Sequence, residues 1–157
     1  MKPEIRDAFW HALARSPVMM VRLAGAGDGA GRPLARPMTA QLDRDADGSI
    51  WFFMNRDNGL APGGPAQADF SATGHDVFAV LEGELVAETD RAVIDTLFTD
   101  EVAAWFEGGK ATTAALLLRF DIANAEVWTS DRSLAGLFRR LTGASASKGD
   151  HASGRIT

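Results

Sequence analysis

His11, His75 and His151 are the only imidazoles in the chain, and none forms the H-x-x-H or H-E-x-x-H pair that holds a catalytic zinc. Cysteine is absent, which removes thiolate nucleophiles, thiolate-bound zinc and iron–sulfur sites together. No G-x-S-x-G segment sets a serine on a strand-to-helix elbow. Glu84 and the stretch Glu88 to Asp90 read as solvated carboxylates rather than as a glycosidase pair. Two loops come closer to a binding motif and fail on spacing. After Gly25 and Gly27 the third glycine of a dinucleotide fingerprint is Ala30, and Pro33 and Pro37 forbid the helix that should follow. Asp43, Asp45, Asp47 and Gly48 copy the first half of a calcium loop, but its twelfth position is Met54. Conventional hydrolytic chemistry has no clear anchor here, but a chain without such side chains can still do chemistry if a cofactor carries it.

The elements that would position a cofactor are legible. With 157 residues the chain has the size of one domain with one core. A formal charge of −5 gives no general attraction to nucleic acid. Charges at Glu4, Arg6 and Asp7 interrupt the amino-terminal segment, and no apolar stretch is long enough for a membrane span. A soluble, cytoplasmic protein is expected.

Ile5, Phe9, Ala12 and Leu13 share one face of an expected helix that starts near Pro3 and ends at Ser16-Pro17. Val18 to Leu23 and Arg32 to Leu42 read as strands flanking a glycine-rich loop. Asp47-Gly48 reads as a hairpin turn into Ile50 to Met54, whose unbroken apolar run implies a strand covered on both faces. A short helical piece is expected near Ala66 to Ser71. Asp76 to Ala87 should be a strand bent at Gly83, and Asp90 should cap a helix reaching about Phe98, with further helical turns over Glu101 to Phe106. Leu116 to Ile122 alternates as a half-buried strand, which Ala125 to Trp128 is expected to extend. Leu134 to Leu141 reads as a terminal helix. The expected domain is therefore 1–143, followed by a polar, mobile tail over 144–157.

Two segments, Arg36-Pro37-Met38-Thr39-Ala40-Gln41 and Ile50-Trp51-Phe52-Phe53-Met54-Asn55, resemble the paired cofactor strands of the pyridoxamine 5′-phosphate oxidase-like superfamily, and more narrowly its general stress protein branch. The resemblance continues through Glu82-Gly83-Glu84-Leu85, Asp90-Arg91, Ala104-Trp105-Phe106 with Gly108-Gly109, and Ala125-Glu126-Val127-Trp128. It implies a mainly β fold with accessory helices, a six-stranded antiparallel split β-barrel, and FMN, or alternatively FAD, at a homodimer interface.

By the same resemblance, Arg36 would reach the flavin phosphate or ribityl chain, with Pro37 in the same motif. Met38 and Thr39 would offer backbone to the ring edge, and Phe53, Met54 and Asn55 would line the other side. Asn58 would lie in the phosphate loop, and Trp105 and Trp128 would pack near the flavin from the partner subunit. Core filling is the competing reading for each aromatic residue. One departure stands out: Asn58-Gly59-Leu60 occupies the place of the family's hydroxyl and basic residues, leaving Arg36 and Arg56 to compensate. The implied function is an oxidoreductase-like general stress protein exchanging electrons with small molecules. The alternatives are a flavin-sequestering module without turnover and a dimeric scaffold that has lost its cofactor. A site for pyridoxamine phosphate itself would need a cluster of cations that the sequence lacks.

Overall fold

A computed structural model describes residues 1–27, 33–43, 48–106, 115–130 and 151–156. The chain runs α1 (Pro3–Arg15), β1 (Val18–Gly27), β2 (Pro33–Thr39), β3 (Ser49–Asn55), β4 (Gly64–Ser71) and β5 (Val77–Ala87). It continues through α2 (Arg91–Leu97), α3 (Asp100–Ala103), β6 (Ala115–Thr129) and β7 (His151–Gly154). The seven strands form one antiparallel sheet in the order β2-β1-β4-β5-β6-β3, with β7 also pairing β6. Among the described residues the end strands meet through Gln41 and Trp51 alone, which exchange backbone hydrogen bonds of 2.8 and 3.0 Å. That pair closes the sheet into a split barrel with accessory helices, as expected.

Alternation decides which side chains fill the barrel. Met19 and Val21 of β1, Ala66, Ala68 and Phe70 of β4, and Ala79, Leu81 and Leu85 of β5 are buried in one cluster with Ile5, Phe9 and Leu13 of α1. Phe9 meets Phe70 edge to face at 5.8 Å, so the helix packs against the inner side of the sheet. The run in β3 is covered twice. Ile50, Phe52 and Met54 enter the main core, whereas Trp51 and Phe53 pack outward with Leu97, Val102, Phe106 and Leu117.

β6 contains a change of phase. Glu82 pairs with Asn124 but Gly83 pairs with Ile122, leaving Ala123 as an extra residue on β6. Buried positions therefore switch from Leu118 and Phe120 to Ala125 and Val127 within one strand. Gly83 is required at the bulge, since a β-carbon there would overlap the Asp121 carbonyl oxygen. Gly63 meets a similar limit at φ +69°, where a β-carbon would stand 2.7 Å from the Leu85 carbonyl oxygen.

Several expectations are corrected. Gly64–Ser71 is a strand rather than a helical piece, because Ala66, Ala68 and Phe70 alternate with Gln67 and Asp69 between two partner strands. β2 and β3 are not neighbours in a hairpin; each pairs along its length with another strand, β1 and β6. Among the described residues the strands number seven rather than six. His151–Gly154 falls in the stretch read as a mobile tail, yet it pairs with Ala125 to Trp128, and Ile156 is 1% exposed in the main core. Asp47 of the Asp47-Gly48 turn, the Gly108-Gly109 stop, the Leu134–Leu141 helix and residues 144–150 lie outside the described residues.

Glu88 is not solvated either. Its Oε2 accepts from Trp51 Nε1 and Arg119 Nη1, both at 3.0 Å, and its Oε1 accepts from the Asp90 amide at 3.0 Å. Asp90 in turn caps α2 by accepting from the Ala92 amide. Burial pushes the Glu88 pKa up, but the three hydrogen bonds and the Arg119 charge outweigh it and leave the carboxyl below its ordinary value.

A lowered folded pKa means that this carboxylate stabilises the fold fully above the unfolded value, about 4.3. The contribution is lost as pH falls through the lower folded value. The stability gap between wild type and Glu88→Gln, measured by urea titration, is therefore expected to shrink as pH drops below about 4. A gap independent of pH would contradict the assignment. Gly83→Ala is expected to destabilise by about 1–3 kcal/mol in the same measurement at neutral pH, because the backbone of β5 or β6 must move.

Candidate functional site

The closure at Gln41 and Trp51 leaves a gap on one side of it. Ala40 donates its amide to Pro17 at 2.6 Å, so the even-numbered residues of β2 face β1. The backbone groups of Ala35, Pro37 and Thr39 consequently point the other way, across the gap. This explains why β2 tolerates Pro37, whose missing N–H would have faced no partner strand. On β3 the same alternation sends Trp51 to Gln41 and turns the backbones of Phe53 and Asn55 into the gap. Two strand edges thus face each other and diverge from their junction.

Asn55 leads into the loop that forms the third wall. Its carbonyl accepts the Asn58 amide at 3.0 Å, and the Asn58 side-chain oxygen accepts the Leu60 amide at 2.9 Å. Leu60 is buried and fastens the loop to the core. Arg36 is exposed and lies over this loop: a β-carbon at Gly59 would stand 3.5 Å from its Nε and Nη2. A guanidinium held over a glycine, beside two edges with outward amides, can bind an anion while the edges take up a planar polar group.

The residues expected from sequence divide accordingly. Arg36, Pro37, Thr39, Asn55 and Asn58 meet around the gap. Met38 is buried and gives its backbone to Met19, leaving Thr39 as the one of the pair facing the gap. Met54 points into the core, and the Phe53 ring packs edge to face on Phe98 at 5.4 Å, so these two offer backbone or shape rather than an aromatic wall. Trp105 is exposed after α3. Trp128 lies on the outer face of β6, beside Phe78 and stacked on His151 at 4.9 Å. Neither tryptophan belongs to the gap's own strands, β2 and β3.

Sequence reading missed the junction residues and Glu88. Gln41 and Trp51 act through backbone, which leaves no trace in residue type, and Glu88 is one carboxylate among many. Only the apolar run on both sides of Trp51 hinted that its polar nitrogen would need a buried acceptor. A second recess, about 460 Å³, opens near Arg22, Gln67 and Glu82. Two of its polar side chains are engaged: Arg22 donates to Gln67 at 2.8 Å and Gln67 donates to Asp69 at 2.7 Å.

Among solved structures, a candidate general stress protein 26 from Jannaschia sp. superimposes with a TM-score of 0.81 at 27% identity, over 98% of this chain and 99% of that one. The general stress FMN/FAD binding protein of Xanthomonas citri gives 0.74 at 42% identity, over 85% and 94%. A general stress protein 26 relative from Clostridium acetobutylicum gives 0.67 at 18% identity, over 82% and 91%, and speaks to the fold alone. No curated protein sequence matches the chain. The family model described as pyridoxamine 5′-phosphate oxidase like matches residues 4–150. Sequence and architecture agree, and the chain belongs to the pyridoxamine 5′-phosphate oxidase-like family.

Proposed function

We propose that this chain is a general stress protein that binds FMN in the gap between β2 and β3 and works as a cytoplasmic homodimer. The observation that carries the reading is the Arg36 guanidinium poised over Gly59, beside the outward backbone edges of Thr39, Phe53 and Asn55. Arg36 would hold the phosphate, a charge-assisted contact that offsets the absence of a cation at Asn58-Gly59-Leu60. Thr39, Phe53 and Asn55 would satisfy the polar edge of the ring through backbone, and the Asn58 turn would fix the loop beneath. The flavin, when bound, supplies redox chemistry, accepting electrons from a donor and delivering them to a small molecule. The work of Arg36, Thr39, Phe53, Asn55 and Asn58 is to bind and orient. The Xanthomonas citri protein, named for binding FMN or FAD, supports the same ligand class.

The dimer reading rests on the outer sheet face. Val18, Met20, Phe78 and Trp128 are 53, 42, 38 and 37% exposed, and Met20 and Phe78 lie on adjacent parts of the same uncovered surface. A second copy seated there would bury them and bring Trp128 toward the partner's gap.

Titrating apoprotein with FMN and FAD tests the first reading. Bound flavin should absorb near ~450 nm through its isoalloxazine and bleach with reduced nicotinamide or a chemical reductant. Arg36→Ala is expected to weaken FMN binding by on the order of 1 kcal/mol or more. Unchanged affinity would move the phosphate elsewhere, and a colourless protein that leaves FMN fluorescence unquenched would overturn flavin binding altogether. For the dimer, light scattering on Phe78→Glu should give a monomer with an unchanged far-ultraviolet spectrum, since the position is on the surface. A dimer of undiminished stability would locate the interface on another face.

A further inference from the structure

We infer that Glu88 is a positioning residue for the gap, setting the separation of β2 and β3 through Trp51 without touching what binds between them. The inference rests on the flavin reading above for its ligand, and on the following geometry for its mechanism.

The gap has one hinge. β2 and β3 are joined only at Gln41 and Trp51 among the described residues, so the placement of Trp51 fixes where the two edges begin to diverge. The Trp51 backbone is engaged by Gln41, and its side chain is engaged by Glu88 through Nε1 at 3.0 Å. The indole is 3% exposed among Phe53, Leu97, Val102, Phe106 and Leu117, leaving Nε1 no access to water in place of the carboxylate.

Glu88 is itself immobilised from three directions. Its own amide donates to the Leu117 carbonyl of β6 at 2.9 Å. Arg119, the cross-strand partner of Trp51, donates to the same oxygen that receives the indole, while Asp121 holds the other side of the guanidinium at 2.7 Å. The Asp90 amide binds the second carboxylate oxygen and ties the group to the start of α2. Trp51 is therefore referenced to β5, β6 and α2 at once. Its neighbours Phe53 and Asn55, whose backbones face the gap, inherit that reference along β3. Binding groups held by rigid supporting contacts lose less freedom on ligand capture, and a shift of a few tenths of an ångström at their support is felt as affinity.

Trp51→Phe removes the Nε1 donor while keeping an aromatic ring and the backbone pair with Gln41; Glu88→Ala removes the acceptor. Both are expected to raise the FMN dissociation constant three- to tenfold by fluorescence quenching, and to accelerate hydrogen exchange at the Gln41 and Trp51 amides. Glu88→Gln, which retains an acceptor oxygen, should return the constant to within twofold of wild type. Amides in the β4 and β5 ladder serve as the control and should keep their protection. Unchanged affinity in Trp51→Phe overturns the inference, as does exchange that rises equally in β4 and β5, which would mark general loosening. Wild-type protein that binds no FMN would instead overturn the flavin reading, and the selective exchange at Gln41 and Trp51 would then decide the hinge alone. Should Glu88→Ala fail to fold, Trp51→Phe and Glu88→Gln carry the test.

Discussion

One reciprocal pair of backbone hydrogen bonds, between Gln41 and Trp51, turns an open antiparallel sheet into a barrel and, being single among the described residues, leaves it split. A longer ladder between β2 and β3 would have consumed the amides and carbonyls that now face each other across the gap; no ladder would have left the core open to water. The remaining architecture accommodates that compromise. The bulge formed by Gly83 and Ala123 bends the β5 and β6 pair, while α1 packs its apolar face against the inside of the sheet. Curvature is thereby distributed around the sheet, and the closure itself is left short.

The second consequence concerns β3, which must be apolar on both faces because one serves the barrel and the other supports α2 and α3. Such a strand has room for only one polar side-chain atom in its middle, the indole nitrogen of Trp51, and the structure answers it with a buried carboxylate. The carboxylate is acceptable in that position because each of its oxygens is occupied and a guanidinium balances its charge. The same node connects the end of β5, the start of α2 and the middle of β6.

What could be read from the residues follows how local each determinant is. The apolar face of α1, the Asp90 cap, the bend at Gly83 and the double cover of Ile50 to Met54 are written within a few residues and were legible. β4 was not, because its inward positions are mainly alanines, whose small side chains give alternation little weight beside the prolines and glycines that precede it. His151–Gly154 has no apolar period of its own and is a strand only because β6 offers it an edge. The adjacency of β2 and β3 in sequence suggested a hairpin, whereas their partners are β1 and β6. Around the gap, Arg36 and Asn58 could be named by type, but the contributions of Thr39, Phe53 and Asn55 come from backbone direction, which only the closed register reveals. Glu88 could not be separated from its exposed neighbours without knowing that Trp51 would turn toward it.

The long-range pairing of β3 also has a bearing on how the chain reaches this state. Ser49 must wait for Asp121 and Asn55 for Ala115 before the strand acquires its ladder, and the helices that cover Trp51 and Phe53 are likewise made from later residues. Until then Ile50-Trp51-Phe52-Phe53-Met54 is an uncharged, β-prone segment without a proline, the kind that pairs with copies of itself. Arg56 and Asp57 at one end and the Asp43 to Asp47 carboxylates at the other place charge on both flanks of that segment, where it discourages stacking between nascent chains. The acidic stretch that imitates half a calcium loop thus sets like charge beside an apolar, β-prone run, the flanking pattern that opposes strand-to-strand stacking.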